Sequence, residues 1–153
     1  MTLASLLSPD RVIADMRSTE HLPAIDELVD HLVEKHFMDD GKRSAAITAL
    51  REREEQRSTG IGGGIAIPHC FLDEIKEVVA IFGRSTTGIE FCALDCSPVH
   101  FVFLFVVPKA QYSLHLKTLA AIARILNSAE TRSSLREAKS ALEIYDILSQ
   151  KSA

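Results

Sequence analysis

Val99-His100-Phe101-Val102-Phe103-Leu104-Phe105-Val106-Val107 is the most apolar run of the chain, bounded by Pro98 and Pro108. It is too short to span a membrane, which takes roughly 18 consecutive apolar residues. Val and Phe dominate it, and such a run with a proline at each end reads as a central β-strand buried on both faces. The flanking sequence reads as helices. Leu22, Ile25, Leu28, Val29, Leu32 and Val33 recur at helical spacing, predicting a helix over 19–36 with Ser18 or Thr19 at its N-cap. A second helix is expected over 42–56, with Ala45, Ala46, Ile47 and Leu50 inward and a charged end from Arg51 to Arg57. That end reads mainly as solvated, with one or two of its charges near the loop that follows. Beyond the central strand, Ser113 is placed to cap a helix over 114–126. A short helix near 129–138 follows, and Ser140-Ala141-Leu142-Glu143 is a capping box opening a last helix to about Ser149.

Further strands are expected at Val78–Gly83 and, after a turn at Thr86-Thr87-Gly88, at Ile89-Glu90-Phe91. Asp95-Cys96-Ser97-Pro98 reads as another turn. Helices and strands alternate, so the class is α/β with a buried sheet. At 153 residues the chain is expected to be one domain, 1–153. A net charge of −4 argues against nucleic acid and against an anionic membrane surface. No secretory signal is visible at the N-terminus. Cys70, Cys92 and Cys96 are odd in number and clustered, which points to reduced thiols in a cytoplasmic protein.

The chemistry concentrates in Arg57-Ser58-Thr59-Gly60-Ile61-Gly62-Gly63-Gly64-Ile65-Ala66-Ile67-Pro68-His69-Cys70, where four of the seven glycines fall between residues 60 and 64. Ile65-Ala66-Ile67 reads as a short buried strand and Pro68 stops its pairing. His69 then stands at the end of a stiff element. A histidine offers a nucleophilic ring nitrogen near neutral pH, and a glycine turn can aim backbone N–H groups at an anion. His115, near the N-terminus of the helix after the central strand, is either a companion of His69 or a first-turn surface residue. His100 is expected to cap a sheet edge, and His21, His31 and His36 to lie on the surface. No His/Cys/acid group has zinc-like spacing. Cys92-x-x-x-Cys96 is not the redox C-x-x-C. The glycines lack the Gly-Lys-Ser/Thr ending of a nucleotide-binding P-loop, and no cofactor is expected. Cys70 is a poor partner for His69, since neighbours on an extended chain face opposite ways.

Arg53-Glu54-Glu55-Gln56-Arg57-Ser58-Thr59-Gly60-Ile61-Gly62-Gly63-Gly64-Ile65-Ala66-Ile67-Pro68-His69 resembles the signature of the fructose/mannitol-type EIIA domains of the bacterial phosphotransferase system. The Ser-Thr-Gly-Ile-Gly form is most similar to the nitrogen-regulatory branch. The resemblance continues through Ala93-Leu94-Asp95-x-x-Pro98-Val99, Val106-Val107-Pro108 and His115-Leu116-x-x-Leu119. It implies one α/β domain with a mixed, mostly five-stranded sheet and helices on both faces. It implies that His69 accepts a phosphoryl group from a phosphohistidine on an HPr-like carrier (NPr in the nitrogen branch), itself charged from phosphoenolpyruvate. By the same resemblance His115 stabilises the phosphate and Arg53 its charge. Ser58, Thr59, Gly62, Gly63 and Gly64 are expected to bind the phosphate. The output would be regulation of target proteins by phosphorylation state, in a free-standing cytoplasmic protein. The alternatives are a sugar-specific EIIA passing phosphate to an EIIB of a fructose/mannitol permease, and a regulatory binding module without phosphoryl turnover. The chain departs from the family pattern at Cys70 and Arg57, where glycine is common, and at His100, where an acidic residue is common.

Overall fold

The apolar run forms the middle of a single mixed sheet. The computed structural model describes residues 3–91, 95 and 97–151; Cys92, Ala93, Leu94 and Cys96, and with them the proposed reading of the Cys92/Cys96 pair, lie outside the described residues. In chain order the elements are α1 (Leu3–Leu6), β1 (Val12–Ile13), α2 (His21–Glu34), α3 (Arg43–Gln56), β2 (Gly60–Gly62), β3 (Ile65–Ala66), β4 (His69–Leu72), β5 (Val79–Ile89), β6 (Val99–Pro108), α4 (Tyr112–Leu126), α5 (Ala129–Glu137) and α6 (Ala141–Ser149).

Strand β6 sits at the centre of the order β1-β5-β6-β3-β2. It runs antiparallel to β5 and parallel to both β3 and β4. β3 and β4 lie one after the other along the same edge: Ile65 pairs with Phe101 and Ala66 with Val102, then His69 with Phe105 and Cys70 with Val106. Pro68 falls between them, and its carbonyl accepts a hydrogen bond from the Phe105 N–H at 3.0 Å. Six strands therefore occupy five positions, because a proline interrupts one of them.

Period-two alternation on β6 divides the core. Val102, Leu104 and Val106 face α2 and α3, packing with Ile25, Leu28, Leu32, Ala46 and Leu50. Phe101, Phe103, Phe105 and Val107 face the other way, onto Ile122, Leu126, Leu135, Ile144 and Leu148 of α4, α5 and α6. The Phe103 and Phe105 rings stack with centroids 4.7 Å apart. Each fully buried ring of this kind contributes about 1.5–3 kcal/mol. His69 shares the Phe105 side, so it faces α4, and Cys70 faces α2 and α3.

Several local expectations are corrected. The residue at the N-cap of α2 is Glu20, because the Ser18 hydroxyl is already used: it donates to Glu27 at 2.7 Å. Ser113 lies inside the first turn of α4, which Gln111 precedes as N-cap after a 3₁₀ turn over Lys109–Gln111. Thr86-Thr87-Gly88 is no turn between strands. It is a register shift within β5, between Arg84 and Ile89, where Gly88 takes φ +98 and donates its N–H to Ser85 Oγ at 2.9 Å. His100 does not cap an edge; it stands on the central strand. The cap expected at Ser140 is present, accepting the Glu143 N–H at 3.1 Å.

Candidate functional site

A cleft of about 330 Å³ opens where three elements meet. Its walls are the end of α3 with the loop after it (Arg53, Arg57, Ser58, Thr59, Gly60, Ile61), the strand break at Ile67 with His69, and Leu119 and Ala120 of α4. The strand break explains how His69 is held. Pro68 stops β3, the chain rejoins β6 one residue later, and the imidazole folds back on its own strand: Nδ1 lies 2.9 Å from the Ile67 carbonyl. A carbonyl can only accept, so Nδ1 carries the proton and Nε2 keeps a lone pair. Burial, with the Arg53 charge adding to it, holds the His69 pKa below its ordinary 6.5, although the Ile67 bond opposes this. The ring is therefore neutral at pH 7, with one nucleophilic nitrogen.

Phe71 stands edge-on to His69 with ring centroids 6.1 Å apart, and Tyr112 of α4 packs on Phe71 at 4.7 Å. This aromatic file positions the start of α4 against β4. Cys70 points to the opposite core, with its thiol pushed up to about 12 by burial. It sits in ordinary extended backbone, since the only non-glycine residue at positive φ among those described is His36. A side chain in place of the family's glycine is thus accommodated.

The loop before Gly60 is anchored by a residue the sequence reading left on the solvated helix end. Glu54 is only 3% exposed. Its carboxylate accepts the Thr59 N–H at 3.1 Å and the Thr59 hydroxyl, and meets His21 Nδ1 at 3.3 Å. Glu54 follows Ala46 and Leu50 at intervals of four, on the buried stripe of α3, and that register is the signal that could have revealed it. His21, expected on the surface, packs edge-on to Phe91 beside this carboxylate.

The expected site residues are only partly brought together. His69, Arg53, Ser58 and Thr59 share the cleft. The donors of Ser58 and Thr59 are already committed, however. The Ser58 hydroxyl donates to the Phe91 carbonyl, and both Thr59 donors go to Glu54. Gly62, Gly63 and Gly64 do not line the cleft. They take φ values of +90, +67 and +81, conformations suited to glycine, Gly62 at the end of β2 and Gly63 and Gly64 in the turn to β3. The Gly63 N–H donates to Asp95 at 3.1 Å, and the Gly64 carbonyl accepts from the His100 N–H at 2.8 Å. Arg57 does line the cleft. Arg53 gives one N–H to the Arg57 carbonyl at 2.8 Å, which leaves its remaining donors for a ligand.

His115 is 1% exposed, sits one turn before Leu119 and is not among the residues that line the cleft. Its Nε2 lies 3.1 Å from Gln111 Oε1, and its Nδ1 is buried without a hydrogen-bond partner. Burial lowers its pKa. An unpartnered buried polar atom costs about 1–3 kcal/mol. Among the described residues no group of three His, Cys, Asp or Glu could hold a metal ion, and no helix is long and apolar enough to cross a membrane.

Comparison with known proteins gives the family and the fold. The chain is 39% identical over 127 residues to the fructose-specific EIIA component of the phosphotransferase system of Haloferax volcanii, covering 83% of this chain and 81% of that one. It is 30% identical over 148 residues to a nitrogen regulatory protein of Bradyrhizobium diazoefficiens, covering 97% and 95%. The fold matches the crystal structure of the nitrogen regulatory protein IIA-Ntr from Neisseria meningitidis with a TM-score of 0.85 at 27% identity, over 95% of this chain and 98% of that one. Residues 5–151 match the model for EIIA 2 of the phosphoenolpyruvate-dependent sugar phosphotransferase system. The protein belongs to that phosphotransferase EIIA family.

Proposed function

We propose that this protein is a cytoplasmic phosphocarrier of the nitrogen-regulatory kind, accepting a phosphoryl group on His69 Nε2 from the phosphohistidine of an HPr-like carrier, NPr. The observation that carries the reading is the His69–Ile67 hydrogen bond, which leaves a neutral ring with Nε2 as its free nucleophile in an arginine-lined cleft. In the step, the Nε2 lone pair forms a bond to phosphorus as the donor's P–N bond breaks. The bonding pair stays with the donor ring, which leaves as a neutral imidazole because its other nitrogen keeps its proton, while His69 keeps Nδ1–H. Like nucleophile replaces like leaving group, so the transfer runs near equilibrium. The protein's contribution is positioning and charge stabilisation. Arg53 and Arg57 supply guanidinium donors for the phosphoryl oxygens. His115 Nδ1 acquires a partner when the phosphoryl group is present, and the arriving negative charge raises that ring's proton affinity.

A protein donor suits the surroundings. Ile61 on the cleft rim and Tyr112, Leu114 and Leu116 on the first half of α4 are large apolar side chains left exposed, the composition of a protein-docking surface. Phosphorylation would add negative charge there and change which targets bind, which is the regulatory output.

The test is incubation with the EI-type enzyme, the carrier and phosphoenolpyruvate. An acid-labile phosphate is expected on His69, and continued labelling of His69→Ala would overturn the assignment. A second reading rests on the 39% identity to a fructose-specific EIIA component: phosphate passes onward to an EIIB domain. Transfer from the phosphorylated protein to a purified EIIB separates the two.

A further inference from the structure

We propose that a second, smaller pocket, lined by Arg84, Ser85, Thr86, His100, Phe101 and Arg136, is a binding site for a small oxyanion that carries a hydroxyl, such as hydrogen phosphate or a short hydroxy acid. The pocket encloses about 180 Å³, below the usual range for drug-sized ligands of roughly 300–1,000 Å³. It lies at the other end of β6 from the cleft: Phe101 is four residues from Phe105, the partner of His69, or about 13 Å along the strand.

Its chemistry is cationic in a chain of net charge −4. Arg84 is a buried guanidinium, 7% exposed. Its Nε donates to the Ala14 carbonyl at 2.9 Å, and its Nη1 donates to the carbonyls of Leu135, at 2.9 Å, and Ala138. Those bonds fix the group and cap the end of α5. They leave Nη2, whose nearest partner among the described residues is Asp15 at 3.9 Å. The Asp15 side chain is 79% exposed, so it stands at the rim and can yield to a ligand. Arg136, an exposed residue beside the carbonyls that Arg84 holds, lies with its guanidinium 5.8 Å from the Phe101 ring centroid. Two guanidinium groups over an aromatic floor form a preorganised receptor for oxyanion oxygens.

His100 adds selectivity. Its Nδ1 lies 2.8 Å from the Ser85 carbonyl and must donate to it. Its Nε2 has no hydrogen-bond partner among the described residues and is left as an acceptor. A fully deprotonated oxyanion offers nothing to it, whereas an oxyanion with an O–H does. The register shift in β5 borders the same pocket, and there the Gly88 N–H donates to Ser85 Oγ at 2.9 Å.

The experiment is a titration of the ¹⁵N-labelled full chain with inorganic phosphate and, separately, with malate, followed by amide shifts. Saturable shifts at Arg84, Ser85, Thr86, Phe101 and Arg136 are expected, and the stronger of the two ligands identifies the source of the oxyanion. Arg136→Ala, an exposed position, should keep the fold and weaken binding by about tenfold or more. Arg136→Lys should recover part of it. His69→Ala should bind unchanged, which separates this site from the cleft whatever the fate of the phosphocarrier reading. Shifts confined to the His69 cleft, no shifts with either ligand, or Arg136→Ala binding as tightly as the parent would overturn the proposal.

Discussion

Replacing Glu54 with alanine is the sharpest probe of how the cleft is held. The carboxylate is buried and receives both donors of Thr59, itself 4% exposed, as well as contact from His21. Truncation leaves the Thr59 N–H and O–H without partners in a buried loop, at about 1–3 kcal/mol each. The predicted loss is therefore about 2–6 kcal/mol, a large part of a total stability of about 5–15 kcal/mol. Glu54→Gln keeps the volume and one acceptor oxygen, so it should lose only about 1–2 kcal/mol. Urea unfolding at pH 7.5, monitored by circular dichroism, gives both values. A double-mutant cycle of Glu54→Gln with Thr59→Val should show coupling, because the two residues share a bond. Phosphoryl transfer to His69 should slow in Glu54→Ala even where the protein remains folded, since Ser58, Thr59 and Gly60 wall the cleft. A loss below about 1 kcal/mol in Glu54→Ala, or strict additivity with Thr59→Val, would refute the anchoring role.

Four further outcomes follow from the same geometry. His69 titrates below its ordinary 6.5, so the rate of phosphoryl acceptance should be insensitive to His69 ionisation from pH 7 to 8 and fall only in the acid range. A rate that drops by half between pH 8 and 7 would contradict the neutral-ring assignment. The same depression at His69 and His115 means that the unfolded chain binds more protons. Their stabilising contribution is then present above the unfolded value and is lost as pH falls below it, measurable as a falling Tm. Cys70, with its thiol raised to about 12, should resist iodoacetamide in the native protein at pH 8 and react only on unfolding, as read by peptide mass mapping. Arg57→Gly should slow phosphoryl transfer by less than about tenfold, because an exposed guanidinium is screened by water; an unchanged rate would remove it from the site.

The central strand and its two helical layers were legible because burial on both faces leaves an unbroken apolar run, and amphipathic helices leave a period. His69 was legible for another reason: proline and glycine punctuate the backbone so strongly that a side chain between them has a determined place. What escaped were features set by competition between partners. Ser18 looked like a cap, but Glu27, nine residues on, takes its hydroxyl. Thr86-Thr87-Gly88 looked like a turn, because a bulge uses the same residues as a reversal and only the pairing with β6 distinguishes them. Glu54 sat in a run of charges that reads as solvated, and nothing local says that Thr59 folds back onto it. The glycines were legible as a turn, but the sequence does not show that the bend at Gly62, Gly63 and Gly64 lies away from the cleft lining.

The position of Pro68 between β3 and β4 has a consequence for how the protein comes to exist. Strands β5 and β6 are neighbours in sequence and pair antiparallel, so their hairpin closes a short loop and can form early. The segment from Ile65 to Leu72 docks parallel on the other edge of β6 and requires a longer closure. Val12 must find Phe82 across a longer one still. His69 meets the Ile67 carbonyl only after its segment has bent at Pro68 and docked. A chain that has formed only its hairpin holds the imidazole as a free residue in water, with no preferred tautomer. On the proposed function, competence to receive phosphate would arise only once that strand has docked, and the carrier would distinguish finished molecules from unfinished ones.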